Sequence, residues 1–337
     1  MPLRKRRLGR TGLHLTALGF GAAPIGNLYR ALTDAEVDAL LQSAWDTGLR
    51  YFDTAPLYGF GLSEKRLGRF LRTKPRNEFV ISTKVGRLLK PNAGWHEQRA
   101  AFIDAAPFEP VFDYSHDGVM RSVEESLARL GLDTIDIALM HDIGAATHGA
   151  DHPAVMKTAM DGGYRALNRL RGDGRLGAIG IGANEWQVCA QAMNHGQWDA
   201  FLIAGRYTLL EQEPLDGFFP LCAKAGVGIV IGGAFNSGIL ATGAVEGAHF
   251  NYGDAPPEVV ERVRRLDAIC KAHGVPLPAA ALQFPRAHPL VATVIPGVAT
   301  ASELASALDW SARAIPPALW SDLKSEGLLH PSAPVPA

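Results

Sequence analysis

Eight short apolar runs recur along this chain with helix-patterned segments between them, and that alternation restricts the fold more than any other feature. The runs are Ala17–Gly21, Tyr51–Asp53, Phe79–Lys84, Ile135–His141, Gly177–Gly182, Phe201–Ala204, Gly228–Ile231 and Ala292–Ile295. The intervening segments carry helix grammar. Thr33 and Glu36 form a capping-box pattern, then Val37, Leu40, Leu41 and Ala44 recur at helical spacing until Gly48. Further helices are expected over Ser63–Leu71, Val119–Leu130, His152–Arg171, from about Glu185, and over Phe218–Ala225, Pro257–His273, Pro278–Ala287 and Ala301–Leu308. Strands alternating with helices predict a parallel sheet with right-handed crossovers. Eight strands predict its closure into an α/β fold of the (β/α)8 TIM barrel type. Ahead of the first strand, residues 4–17 predict a hairpin turning at Arg10-Thr11-Gly12 and closing the bottom of the barrel. With no linker or low-complexity segment, the expectation is one domain over residues 1–337. The Pro-rich tail from about residue 312 is expected to add little.

Composition excludes several classes. Formal net charge is -1, so nothing steers the chain toward nucleic acid. The basic start Arg4-Lys5-Arg6-Arg7 could open a signal peptide, but Gly19 and Gly21 break the apolar stretch that would follow. No run of about 18 apolar residues is present, so no membrane span is expected. Cys189, Cys222 and Cys270 are far apart and odd in number, which argues against disulfides and a thiolate metal site and favours the cytoplasm. The glycine clusters at Gly19 and Gly180 lack the third glycine of the dinucleotide fingerprint, since Pro24 and Glu185 stand in its place. There is no Walker lysine and no G-x-S-x-G elbow, and His96-Glu97 is followed by Ala100 where a zincin has its second histidine. No metal is expected. The stretch from Gly86 to Gly118 shows no periodicity yet is rich in aromatics, among them Trp95, Phe102, Phe108, Phe112 and Tyr114. It is either a lid over a site or a packed surface excursion.

Three successive strand runs end in, or lead directly to, groups that carry chemistry. "YFDTAPLYG" holds Asp53 and Tyr58, "VISTKVG" ends in Lys84, and "DIALMHD" presents His141. Barrel enzymes display reactive groups at such strand ends. These segments, in this order and spacing, resemble the catalytic tetrad of the aldo-keto reductase superfamily, over nearly the whole chain from the hairpin to "VIPG" at Val294–Gly297. The resemblance implies a nicotinamide-dependent oxidoreductase with Tyr58 as acid and base. A phenol of pKa about 10 is a poor acid and a worse base at neutral pH. A lysine ammonium beside it favours the phenolate, and Lys84 would bring Tyr58 closer to the working range. Asp53 would hold that ammonium, and a neutral His141 would direct the substrate oxygen.

For the cofactor, the resemblance places Asn184 on the nicotinamide carboxamide, Phe235-Asn236-Ser237-Gly238 along the pyrophosphate and Gly297 at the adenosine end. Gly232 stands where many relatives have a tyrosine stacked on the nicotinamide, and Ala204 where a glutamine assists Asn184, so Phe235 or Tyr207 would have to fill in. Ala299 stands where relatives place an arginine for the 2′-phosphate of NADP, and Glu303 replaces a common glutamine. A carboxylate there repels a phosphate and can accept a hydrogen bond from a free ribose hydroxyl, so the expectation is NAD over NADP.

"GANEW", "GRYTLLEQ" and "FDYSHDGVMRS" are similar to the branch of L-fucose (D-threo-aldose 1-), L-galactose and pyridoxal 4-dehydrogenases. Members of that branch oxidise a cyclic hemiacetal to a lactone. The substrate expected first is an aldose of the L-fucose, D-arabinose or L-galactose type, with Trp95 and His148 as sugar contacts. The alternatives are pyridoxal, broad NADPH-dependent aldehyde reduction, and a non-catalytic redox-sensing subunit like the potassium-channel β subunits. The intact tetrad counts against the last of these.

Overall fold

The computed structural model describes residues 3–92 and 101–336. Its eight parallel strands are β1 Phe20–Gly21, β2 Tyr51–Asp53, β3 Val80–Val85, β4 Ile137–His141, β5 Ala178–Ala183, β6 Ala200–Ala204, β7 Gly228–Gly232 and β8 Val291–Ile295. Each pairs with its neighbours in chain order. Parallel bridges from Leu18 to Val294 and from Gly21 to Gly297 join the first strand to the last. The sheet is therefore a closed (β/α)8 barrel, and closure removes the edges that an open sheet would expose.

The two-residue period of a strand decides what fills the barrel. Tyr51, Ile137, Leu139, Leu202 and Val230 point inward and pack on one another, with Leu8 and Leu15 of the N-terminal hairpin beneath them. That hairpin pairs Lys5–Arg7 with His14–Thr16. The Arg10 amide donates to Gly226 O, just ahead of β7, so the hairpin plugs the N-terminal end as expected. The same alternation carries Asp53, Lys84 and His141 inward at the opposite, C-terminal end. The outward residues Ile81, Ala138 and Ile179 join the larger core beneath the helices.

Three expectations need correction. The described parts of residues 86–118 are not structureless: Arg87–Pro91 pairs antiparallel with Phe108–Phe112, and the next helix starts at His116 rather than Val119. The pairing escapes a hydrophobic pattern because this hairpin has no single buried face, and Val111 and Phe112 are both exposed. The helix expected over 152–171 is broken into Ala159–Tyr164 as a π turn between His152–Thr158 and Arg165–Gly172. The tail contributes more than its prolines suggest. Pro317 begins a helix, Pro317–Ser325, at the one position where a missing N–H costs nothing, and Leu319, Trp320 and Leu323 are buried.

No described helix is long and apolar enough to cross a membrane. Trp320 is 1% exposed and packs against Phe284 at 6.4 Å between ring centroids. Trp320→Ala should therefore cost about 3–5 kcal/mol, read as a lower denaturant midpoint. An unchanged midpoint would show the tail to be dispensable.

Candidate active site

The C-terminal mouth of the barrel is organised by one cation. Lys84 Nζ donates to Asp53 Oδ2 at 2.7 Å, to Thr54 O at 3.0 Å and to Tyr58 Oη at 3.1 Å. An ammonium has three N–H groups, so all of its donors are used. Because Tyr58 Oη accepts from Lys84, the phenol's own hydrogen is free to point into the cavity. Asp53 is fixed from the other side. The Ser82 hydroxyl donates to Asp53 Oδ1 at 2.7 Å, and the Tyr51 hydroxyl lies 2.8 Å from Ser82 Oγ. Residues i and i+2 of adjacent strands, in the register Tyr51 to Val80 and Asp53 to Ser82, stack this chain of groups inside the barrel.

Two glycines admit the arrangement. A Cβ on Gly182 would lie 3.2 Å from Lys84 Cε, so the bare backbone of β5 leaves room for the lysine stem. A Cβ on Gly26 would lie 2.7 Å from the carbonyl carbon of Tyr58, so the turn that presents the phenol is seated directly on another backbone.

Charges balance within this cluster. Asp53 is 1% exposed and Lys84 2%. Burial pulls the Lys84 amine down, but Asp53 and Tyr58 more than offset it and leave the amine above its ordinary range. Burial pushes the Tyr58 phenol up, and Lys84 pulls it back only in part. The net direction for Tyr58 is upward, which corrects the expectation of a phenol brought down toward neutral pH. His141 is held neutral by burial, assisted by the positive charges of Arg87 and Lys84.

A cavity of about 480 Å³ lies over Tyr58, Lys84 and His141. Its walls are Leu28, Tyr29, Leu57, Phe102 and Leu202, with Asp142, Asn184 and Tyr252 as further polar contributors. It continues into a second cavity of about 460 Å³ through shared residues, among them Asn184, Ala204 and Tyr252. Phe235, Asn236, Ser237, Gly238, Gly297, Ala299 and Glu303 line this second space, so with Asn184 they face one continuous cleft. Asn236 and Ser237 hold left-handed backbones, at φ 45° and 58°, and Asn236 Oδ1 is buried with no hydrogen-bond partner. Within this turn the Asn236 amide donates to Gly233 O at 2.9 Å and the Gly238 amide to Phe235 O at 3.0 Å, which fixes its shape against the cleft.

Other assignments do not reach the site. His148 packs on Phe112 and Tyr114 and lies outside the cavity lining, with Nε2 at 3.3 Å from the Tyr114 hydroxyl. Tyr207 is fully buried among Phe219, Phe284 and His288 and cannot replace a stacking tyrosine. Trp95 lies outside the described residues. Tyr252, which the sequence did not single out, stands at the junction of the two cavities, and its hydroxyl donates to Asn184 Oδ1 at 3.3 Å. It sits on a small hairpin, His249–Phe250 paired with Gly253–Asp254, that carries no periodic signal.

Residues 17–325 match the family described as the aldo/keto reductase family. The chain is 45% identical to a pyridoxal 4-dehydrogenase of Microbacterium luteolum, over 96% of this chain and 98% of that protein. It is 43% identical to a D-threo-aldose 1-dehydrogenase of a Pseudomonas species, over 94% and 96%. Among solved structures, an aldo-keto reductase of Bacillus halodurans superposes with a TM-score of 0.76 at 23% identity, covering 99% of this chain and 98% of that one.

Breaking a buried pair costs more than replacing it. Asp53→Asn should lower the unfolding free energy by about 3–5 kcal/mol, because Lys84 is left without its counter-ion. Adding Lys84→Met to that variant should recover much of the loss in the same denaturation experiment. Additive losses would show that the two charges are not coupled.

Proposed function

The chain belongs to the aldo/keto reductase family, and from that premise we propose that it oxidises a small cyclic hemiacetal to the lactone with NAD. The observation that carries this reading is the threefold use of Lys84, which turns the Tyr58 hydroxyl into the cavity beside a neutral His141. In the oxidative direction the Tyr58 phenolate takes the proton of the hemiacetal hydroxyl. His141 donates a hydrogen bond to the same oxygen and adds no charge. The chemistry supplied by a bound nicotinamide is acceptance of the hydride from the hemiacetal carbon. Asn184 would hold its carboxamide, and the turn at Asn236-Ser237-Gly238 would hold the pyrophosphate.

The cavity favours one hemiacetal over another. Among the described residues its polar groups are those of Tyr58, Lys84, His141, Asp142 and Asn184 and the hydroxyls of Tyr29 and Tyr252, while Leu28, Leu57, Phe102 and Leu202 offer no partner to a hydroxyl. A pyranose needs a partner for each hydroxyl it buries, and a flat aromatic ring does not. Pyridoxal, which closes on its own hydroxymethyl group to a cyclic hemiacetal, suits these walls better than an aldose. That reverses the order expected from sequence, and it agrees with the name of the relative at 45% identity.

The cofactor preference rests on Glu303. Its Oε2 accepts the Ala299 amide at 2.6 Å, at the start of the helix Ala301–Ala312. The helix end that would attract a 2′-phosphate is thus occupied by the protein's own carboxylate, and Ala299 supplies no cation.

Initial rates of NADH or NADPH formation with pyridoxal, L-fucose, D-arabinose and L-galactose test the whole reading. Pyridoxal should give the highest kcat/KM, and NAD should exceed NADP by about 10-fold or more, equivalent to about 1.4 kcal/mol. The double variant Ala299→Arg, Glu303→Gln should narrow that ratio. L-Fucose ahead of pyridoxal would restore the aldose assignment. Aldehyde reduction with NADPH as the only activity would remove the proposal.

A further inference from the structure

Asp142 follows His141 directly and has none of the roles assigned above. It is 8% exposed, and its backbone lies in the left-handed region at φ 49°. Aspartate tolerates that conformation better than most residues other than glycine, and its contacts hold it there. Here the Asp142 amide donates to Gly182 O at 2.9 Å, and Oδ2 accepts from Arg87 Nη2 at 2.5 Å. Arg87 is itself held in place, with its guanidinium carbon 5.0 Å from the centre of the Phe112 ring.

The carboxylate so fixed faces two groups of the site. Oδ2 lies 3.4 Å from His141 Nε2, and Oδ1 lies 3.5 Å from Asn184 Nδ2. A negative oxygen beside a ring nitrogen selects the tautomer. A proton on Nε2 makes the contact attractive, whereas a proton on Nδ1 would turn the Nε2 lone pair toward the carboxylate. The other face of the ring agrees. His141 Nδ1 is buried without a hydrogen-bond partner, and an orphaned N–H is rarer in folded proteins than an orphaned acceptor. Asn184 is oriented consistently, since its Oδ1 accepts from the Tyr252 hydroxyl and leaves Nδ2 for Asp142.

We propose that Asp142, anchored by Arg87, is a positioning residue that fixes His141 as the Nε2–H tautomer and turns the Asn184 amide nitrogen toward itself. One carboxylate then orients both the donor to the substrate oxygen and the residue assigned to the nicotinamide. What His141 donates to rests on the function proposed above, but its tautomer does not.

Long-range proton–nitrogen correlation spectra of the 15N-labelled protein read the tautomer without substrate, with the His141 signals assigned by their loss in His141→Gln. The wild type should show the Nε2–H pattern alone. In Asp142→Asn the new amide can donate to Nε2, so an Nδ1–H population should appear. The value of kcat should fall on the order of 10²-fold, as when one donor to a reacting oxygen is lost, with a smaller change in KM. If Asp142→Asn does not fold, Arg87→Gln releases the carboxylate from its anchor and should give mixed tautomers. An Nδ1–H pattern in the wild type overturns the proposal. So does a variant that loses activity while the His141 pattern stays as in the wild type, which would mark Asp142 as merely structural. The expected pattern in a protein inactive on every hemiacetal tried would support the role of Asp142 and remove the functional reading instead.

Discussion

A single ammonium inside a closed barrel sets the terms for everything around it. Lys84 is 2% exposed, so its charge is tolerable only with a carboxylate at hydrogen-bond distance, and Asp53 meets that need. The remaining two protons fix the loop after β2 through Thr54 O and Tyr58 Oη. Tyr51 and Ser82 then hold the carboxylate. Such a pair is weak evidence for stability, because a well-packed apolar substitute would serve as well. Its value is chemical. It determines which way the phenol hydrogen points, and it opposes the rise in pKa that burial imposes.

The mouth of the barrel is where the backbone departs most from relaxed geometry. Tyr29, Asp142, Asn236, Ser237 and Tyr252 all have positive φ, and all line the two connected cavities. Left-handed non-glycine residues gather where a rigid scaffold over-determines them, and here the scaffold is the barrel rim. Tyr29 and Tyr252 stand at the passage between the substrate space and the cofactor cleft. The substrate and cofactor halves of the site are joined through Asn184, which bonds Asp142 on one side and Tyr252 on the other.

The barrel, and the meeting of Asp53, Tyr58, Lys84 and His141 at its mouth, were legible because both follow short-range rules. Strand alternation with helices gives the architecture, and a titratable residue closing an apolar strand announces a displayed group. Asp53, Lys84 and His141 all obey that rule. The groups that were missed sit where no period operates. Arg87 lies on a hairpin with no single buried face, Tyr252 on a two-residue-strand hairpin, and Tyr29 in a turn. Asp142 did leave a trace, a carboxylate one place beyond the strand-ending histidine, but its pairing with Arg87 is a contact across 55 residues. Tyr207 failed in the opposite sense: a tyrosine near a cofactor segment in sequence proved to be core. The direction of the Tyr58 acidity also escaped sequence reasoning, since burial outweighs a neighbouring charge only once depth is known.

The central claim is that Lys84 acts on the acidity of Tyr58. An ultraviolet difference titration, wild type minus Tyr58→Phe, isolates ionisation of that one phenol, and the same pair built on Lys84→Met isolates it without the ammonium. With Lys84 present the phenolate should form at lower pH, and its removal should move the midpoint up by about one pH unit or more. Coincident midpoints would contradict the account.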